Sequence, residues 1–394
     1  MEKIQEILDG VYKGLTDRPI LTALTVVFIS LVIYGRLITP FLQSKFRKTE
    51  NTVKIDLPQQ HGQQTFRAIL KPVNADVDST FPLVVFECEL GMNCDEWGFL
   101  RRAFDGILPT LSYDRLGYGG SSEPPGDAPR EATQLAQELH ALLVLFDVVA
   151  PAASDASKGK GPLKRPFVLV GHSYGGVISR TFYHRYRPPN LIGMVLLDSQ
   201  PERLHVDNPS IREYIKERLP RAFLTAAWLS EIGFLSVLSF FGFRFMAITE
   251  DMTARLTKEE AGSLTNLSAA TLRTFSRETA GVDASLSTLI TLREQSPKHK
   301  KDVAIAVAVI TTEHIEKPAG GERFDPVKWK EKWLNYQNEI ITLENRCKGM
   351  PKVAVVDSFE HTSLCVSEKV VEAVSTVLKA TMGLNIDIEF THDK

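Results

Sequence analysis

The sequence lacks the features that mark several large classes of protein. Its 46 basic residues are balanced by 48 acidic ones, so no excess of positive charge points to a nucleic-acid partner. No internal repeat and no glycine-rich dinucleotide loop stands out. The four cysteines have neither zinc-ligand spacing nor the density of a disulfide framework: Cys88, Cys94, Cys347 and Cys365. We therefore expect a reduced chain that needs no metal and no cofactor, with an oxidised cysteine pair as the alternative.

Most of the composition is ordinary, but residues 20–34 read ILTALTVVFISLVIY without a single charge. With the lone Arg36 and the apolar residues up to Leu42, the stretch is long enough for a membrane-spanning helix, which needs about 20 residues. We predict a single transmembrane helix over residues 20–42, between an N-terminal tail (1–19) and a juxtamembrane linker (43–51). A cleaved signal peptide and a buried amphipathic helix are the alternatives.

The positive charges around this segment predict its orientation. They are more numerous towards and beyond its C-terminal end (Arg36, Lys45, Arg47, Lys48 and Lys54) than before it (Lys3, Lys13 and Arg18). The more basic flank of a membrane span stays in the cytosol. We therefore expect a single-pass membrane protein whose main domain faces the cytosol.

Beyond the linker, short apolar runs alternate with helical patterns. The runs typical of strands are Thr52–Leu57, Thr65–Val73, Pro82–Cys88, Leu108–Tyr113, Pro166–Val170, Leu191–Leu197, Val303–Ile310 and Lys352–Val356. The helical patterns between and after them are Arg130–Val149, Gly175–Tyr186, Lys328–Glu344 and Ser367–Thr381. This alternation predicts an α/β protein with a mostly parallel central sheet and helices on both faces. We expect residues 52–201 and 300–394 to form this core, and residues 202–299 to form a helical cap or lid inserted over it.

One motif indicates nucleophilic chemistry. Gly171-His172-Ser173-Tyr174-Gly175 is a G-x-S-x-G sequence that lies directly between a predicted strand and a predicted helix. In that context a serine projects from a sharp turn beside a helix N-terminus, and the positive end of the helix stabilises negative charge that develops in acyl transfer. We predict Ser173 as the nucleophile.

Together these features resemble the α/β-hydrolase superfamily over about residues 52–381. The segment SYDRLGYGGSS (112–122) is similar to the strand and turn that follow the fourth strand of that fold, and PLVVFECELGMNCDEW (82–97) is similar to its third strand and oxyanion loop. The resemblance implies an oxyanion hole formed by the backbone N–H groups of Leu90 and Tyr174. Glu89 departs from the pattern, since it stands where the subgroup has glycine.

The same resemblance places the other members of a catalytic triad. Chain order in this fold is serine, acid, histidine, and His361 follows the last predicted strand, so it is the predicted base. Asp198 ends the strand after Ser173 and is the favoured acid. Glu313 follows the next strand and is the alternative acid.

These residues predict a membrane-anchored serine hydrolase that cleaves a lipophilic carboxylic ester or related acyl bond through an acyl-serine intermediate. The lipophilic preference is expected from five phenylalanines in the insertion: Phe234, Phe240, Phe241, Phe243 and Phe245. The expected partners are a small lipophilic ester and the lipid bilayer, with no nucleic acid and no obligate protein partner. The alternatives are a C–C hydrolase, a cofactor-free peroxidase, or a catalytically silent receptor or scaffold on the same fold.

Overall fold

A computed structural model of the chain describes residues 51–57, 63–73, 81–150, 165–235, 238, 248–265, 268–295, 305–314 and 325–386, and individual residues between 18 and 37. Within these ranges eight strands form one sheet in the order β1-β2-β4-β3-β5-β6-β7-β8. The strands are β1 (Thr52–Asp56), β2 (Gln63–Lys71), β3 (Leu83–Glu87), β4 (Thr110–Tyr113), β5 (Phe167–His172), β6 (Leu191–Leu197), β7 (Ala306–Thr312) and β8 (Val355–Asp357). Strand β2 is antiparallel to both β1 and β4, and the other pairs are parallel. The predicted mostly parallel sheet is confirmed.

The helices are α1 (Gly98–Ala103), α2 (Ala132–Leu145), α3 (Tyr174–Tyr186), α4 (Arg203–Asp207), α5 (Pro209–Glu213), α6 (Leu219–Glu231), α7 (Glu250–Arg255), α8 (Lys258–Thr265), α9 (Ala269–Glu294), α10 (Pro326–Glu344) and α11 (Lys369–Met382). A π-helical turn joins α5 to α6, and 3₁₀ turns lie at Cys94–Trp97 and His361–Val366.

Both faces of the sheet are covered because successive side chains of a strand point to opposite sides. Val85 and Leu169 face one apolar cluster, which contains side chains of α2 and α3. Their neighbours Val84 and Val170 face the second cluster, which contains side chains of α1 and α11. The strands are therefore buried on both sides, as expected for the parallel part of a sheet.

The described part of the 202–299 insertion consists of helices α4 to α9, and α9 anchors it to the core. Glu278 of α9 is fully buried and accepts hydrogen bonds from Arg115 Nη2 at 3.0 Å, Arg130 Nη1 at 2.8 Å and the Tyr118 hydroxyl at 3.1 Å. All three partners lie in the chain between β4 and α2. A buried charge is tolerated only when it is paired and hydrogen-bonded, so this set of contacts specifies where the insertion sits.

The structure describes only part of the predicted transmembrane helix at residues 20–42. Residues assigned as helical occur between Ile20 and Leu37, whereas residues 38–42 lie outside the described part of the chain. No helix among the described residues combines the length and the apolar character needed to cross a membrane.

Candidate active site

Ser173 lies between β5 and α3 in a backbone conformation that few residues adopt, with φ +52° and ψ −114°. The turn is possible because the residues around it are small. A Cβ at Gly175 would lie 2.3 Å from the carbonyl oxygen of Glu87, and a Cβ at Gly171 would lie 2.7 Å from the carbonyl oxygen of Gly175. The glycines of the G-x-S-x-G motif therefore let the turn pack against the end of β3, and the serine is placed at the N-terminus of α3.

His361 and Asp198 follow the ends of two different strands and lie in contact with each other. Asp198 directly follows β6 with φ +42°, and His361 begins the 3₁₀ turn after β8. Nδ1 of His361 donates to Oδ2 of Asp198 at 2.5 Å. The other carboxylate oxygen, Oδ1, accepts from Thr311 Oγ1 at 2.5 Å and from Trp333 Nε1 at 2.7 Å. Burial raises the pKa of Asp198, but these hydrogen bonds outweigh it and the pKa lies below its usual value.

Glu313, the alternative acid, lies elsewhere. Its side chain is 45% exposed and lies 3.9 Å from His314 and 4.0 Å from Lys330. Among the described residues it has no ion pair with His361, whereas Asp198 contacts that ring directly. The geometry therefore favours Asp198 as the acid.

The predicted oxyanion donors are the backbone N–H groups of Leu90 and Tyr174. Tyr174 is the first residue of α3, where backbone N–H groups have no acceptor within the helix. Leu90 lies in the loop between β3 and the 3₁₀ turn Cys94–Trp97. That loop passes close to the motif, since the carbonyl oxygens of Glu87 and Cys88 crowd Gly175. Two N–H groups from these segments would supply the paired donors that an oxyanion requires.

Glu89 is a member of the site that the motifs did not reveal. The sequence marked it only as a departure from glycine, but Oε1 of Glu89 lies 3.2 Å from Nε2 of His361. Burial lowers the pKa of His361, but the charge of Glu89 and the hydrogen bond to Asp198 outweigh burial and raise it well above the usual value. His361 is thus held between two carboxylates, one on each ring nitrogen.

His172 is the second residue that the sequence reasoning missed, because it was treated only as part of the motif. Its ring is fully buried, and Nε2 donates to the backbone carbonyl of His361 at 2.8 Å. Its Nδ1 lies 3.8 Å from Glu89 and 3.6 Å from Glu96. Burial lowers the pKa of His172, but the two carboxylates outweigh burial and raise it.

These side chains also form two groups that could hold a metal ion, in the part of the chain that the structure describes. One contains Glu89, His172 and His361, and the other contains Glu96, His172 and Cys365. In each group the possible ligand atoms lie within 4.8 Å of one another. The expectation of no metal was drawn from residue spacing along the sequence. Such spacing does not reveal groups that the fold assembles from distant parts of the chain.

An apolar cluster from the insertion lies on the oxyanion loop. Phe223 of α6 stacks on Phe275 of α9 with ring centroids 3.9 Å apart, and Leu90 packs against the same cluster. A Cβ at Gly91 would lie 2.6 Å from the ring of Phe275, so the insertion touches the loop closely. Of the five phenylalanines noted in the sequence, Phe234 is described and half-buried, and the other four lie outside the described residues.

Comparison with known proteins identifies the family. The model for the alpha/beta hydrolase family matches residues 90–317, which is more than half of the chain, and this protein belongs to that family. The resemblance expected from the motifs is confirmed. A thermophilic esterase from Thermogutta terrifontis shares the fold, with 16% identity and a TM-score of 0.50 over 83% of this chain and 98% of the esterase.

Two curated relatives match shorter stretches. An AB hydrolase superfamily protein from Gibberella zeae is 29% identical over 171 residues, which are 42% of this chain and 46% of the relative. The probable transporter efuK from Hormonema carpetanum is 31% identical over 144 residues, which are 35% of this chain and 18% of the relative. The chain thus matches less than half the length of either relative.

Proposed function

We propose that this protein is a serine hydrolase that cleaves a carboxylic ester, or a related acyl bond, through an acyl-serine intermediate. The observation that carries the proposal is the 2.5 Å contact between His361 Nδ1 and Asp198 Oδ2, on a fold whose nucleophile turn holds Ser173. An acid that holds the Nδ1 proton leaves Nε2 as the atom that can act as base. An aspartate nucleophile, as in epoxide hydrolases of similar architecture, is disfavoured because the turn carries serine.

Each of these groups has a role in the proposed reaction. Oγ of Ser173 attacks the carbonyl carbon while Nε2 of His361 takes its proton, and Asp198 stabilises the resulting imidazolium. The N–H groups of Leu90 and Tyr174 receive the negative charge of the tetrahedral intermediate. His361 then protonates the leaving alcohol and activates the water that releases the acid. Because Nε2 lies 3.2 Å from Glu89, this contact has to open before the nitrogen can accept the serine proton.

We further propose that the substrate is lipophilic and that the insertion forms part of its binding wall. Support comes from the Phe223–Phe275 stack, which packs with Leu90, a proposed oxyanion donor. An acyl chain buried against such a wall gains about 0.8 kcal/mol for each CH₂.

The test is kcat/KM for p-nitrophenyl esters from acetate to dodecanoate. We expect kcat/KM to rise with chain length, and Phe223→Ala to reduce the ratio of long-chain to short-chain kcat/KM. Leu145→Ala, at an exposed position of α2, is the matched control and should leave the ratio unchanged. A flat profile, or one that falls steadily from acetate, would mean that the apolar cluster serves packing alone.

Membrane anchoring through residues 20–42, with the hydrolase domain in the cytosol, remains part of this proposal. Support comes from the apolar side chains that are exposed in this segment, among them Ile20, Val26 and Ile33. Fractionation of the full chain and of a chain without residues 20–42 tests the anchor, and only the full chain should sediment with membranes. Glycosylation of Asn266, within an Asn-Leu-Ser sequon, would contradict the cytosolic orientation.

A further inference from the structure

Three buried polar atoms beside the proposed base have no hydrogen-bond partner among the described residues. They are Nδ1 of His172, Oε2 of Glu89 and Oε2 of Glu96. Buried polar atoms are almost always hydrogen-bonded, so a group of three that face one another requires an explanation. The separations between Nδ1 of His172 and the two carboxylates, 3.8 and 3.6 Å, exceed hydrogen-bond length.

The tautomer of His172 determines whether its Nδ1 atom carries a proton or a lone pair. Nε2 contacts a carbonyl oxygen, which can only accept, so Nε2 carries a proton. In the neutral ring Nδ1 then bears a lone pair, and that lone pair faces two carboxylates. These three electron-rich atoms repel one another unless a proton on Nδ1, or a metal ion in its place, lies between them.

The geometry around His361 matches the pattern found in zinc sites. A histidine that binds zinc through one nitrogen usually donates its other N–H to a carboxylate or a backbone carbonyl. His361 donates from Nδ1 to Asp198, and His172 donates from Nε2 to the carbonyl of His361. In both rings the remaining nitrogen faces Glu89, and it can bind a metal ion once it has lost its proton.

The distances between the side chains are close to those around one ion. Ligand atoms about 2.1 Å from a tetrahedral zinc ion are about 3.4 Å from one another. Oε1 of Glu89 lies 3.2 Å from Nε2 of His361, and Oε2 of Glu89 lies 3.8 Å from Nδ1 of His172. The group is reachable from solvent because the side chain of His361 is 33% exposed. The alternative group with Cys365 is fully buried, and its thiol already donates to the carbonyl of Thr362.

We propose that Glu89, His172 and His361 form a zinc-binding site, and that bound Zn²⁺ switches off the hydrolase. The ion binds Nε2 of His361, which is the atom that has to take the proton of Ser173. This nitrogen cannot bind zinc and accept the proton at the same time. Three protein ligands leave a fourth position for water. The inhibitory role rests on the proposed function, but the binding site does not.

The binding arm uses the full chain, stripped with EDTA and titrated with ZnCl₂ by isothermal calorimetry. We expect one ion per chain for the wild type, and at least about tenfold weaker binding for Glu89→Gln and for His172→Gln. Ser173→Ala should bind Zn²⁺ as the wild type does, since the serine is not a ligand. His314→Gln is the matched control for adventitious surface binding, because His314 is exposed and next to a carboxylate. It should also bind as the wild type does.

The activity arm measures ester hydrolysis by the same proteins at rising Zn²⁺ concentration. Wild-type activity should fall with the dissociation constant found by calorimetry and return on addition of EDTA. In Glu89→Gln and His172→Gln the inhibition constant, taken relative to each variant's own metal-free rate, should rise by the same factor as the dissociation constant. Unfolding curves establish that each variant is folded, and either variant alone is sufficient.

Equal zinc affinity in the wild type and a folded ligand variant would overturn the site. Tight binding without loss of activity would overturn the inhibitory role. If the metal-free wild type hydrolyses no ester but binds one ion through these ligands, the site holds and the proposed function fails. If it hydrolyses esters but binds no zinc, the function holds and His172 is simply a cation paired with the two carboxylates.

Discussion

Asp198→Asn should disable turnover by changing the tautomer of His361. Oδ1 of Asp198 accepts from Thr311 Oγ1 at 2.5 Å and from the N–H of Trp333 at 2.7 Å. Because the Trp333 N–H can only donate, the carbonyl oxygen of an asparagine has to take the Oδ1 position. The amide nitrogen then faces Nδ1 of His361 and donates to it. The ring proton moves to Nε2, and that nitrogen can no longer accept the proton of Ser173.

The same exchange of aspartate for asparagine in a serine protease lowers kcat about 10⁴-fold through the wrong tautomer, which corresponds to about 5.5 kcal/mol in the barrier. We expect a loss of this order in kcat for ester hydrolysis, with KM little changed and the fold retained by circular dichroism. Glu313→Gln is the matched control, and its rate should stay near that of the wild type. The reasoning is refuted if Glu313→Gln is the more harmful change, or if Asp198→Asn costs less than about tenfold.

Two further predictions concern how the insertion is held on the core. Glu278→Gln removes the charge that faces Arg115 and Arg130, but each arginine keeps a second carboxylate partner. We therefore expect the free energy of unfolding in urea to fall by about 3 kcal/mol, the lower end of the range for breaking a buried ion pair. The exposed Glu123→Gln should cost less than about 0.5 kcal/mol, and an equal loss in both would contradict the anchor. Burial raises the pKa of Glu202, but two arginines outweigh burial and lower the pKa from 4.5 to about 2. The ionised Glu202 therefore stabilises the fold above pH 4.5, and this stabilisation is lost as the pH falls towards 2. The advantage of the wild type over Glu202→Gln in unfolding free energy should therefore shrink by about 3 kcal/mol between pH 5 and 2, and a constant difference would contradict the low pKa.

Much of the core could be predicted because its signals are local. Buried parallel strands are continuous apolar runs, and the run at Leu191–Leu197 has the same bounds in the structure. The serine turn was readable because its glycines are neighbours in the sequence. The last strand was placed less well: the run Lys352–Val356 predicted it, but β8 covers Val355–Asp357, since only these residues pair with the end of β7.

The rest of the site depends on contacts between distant residues, which no local pattern reveals. Glu89 appeared only as a misfit to a glycine position, although the departure itself was the available signal. His172 gave no signal beyond its place in the motif, since its role depends on the approach of His361, 189 residues further along the chain. The choice between Asp198 and Glu313 was open for the same reason: both follow strands at the same edge of the sheet, and only the position of the His361 ring separates them.

Labelling with a fluorophosphonate probe tests the central claim most directly. The probe reacts covalently with a serine only when a neighbouring base activates it. The measurement compares EDTA-treated wild type with Ser173→Ala, and peptide mapping locates the modified residue. The account predicts one probe per wild-type chain, attached to Ser173, and no labelling of the variant. An unlabelled wild-type chain, or a Ser173→Ala chain that is labelled as well as the wild type, would contradict it.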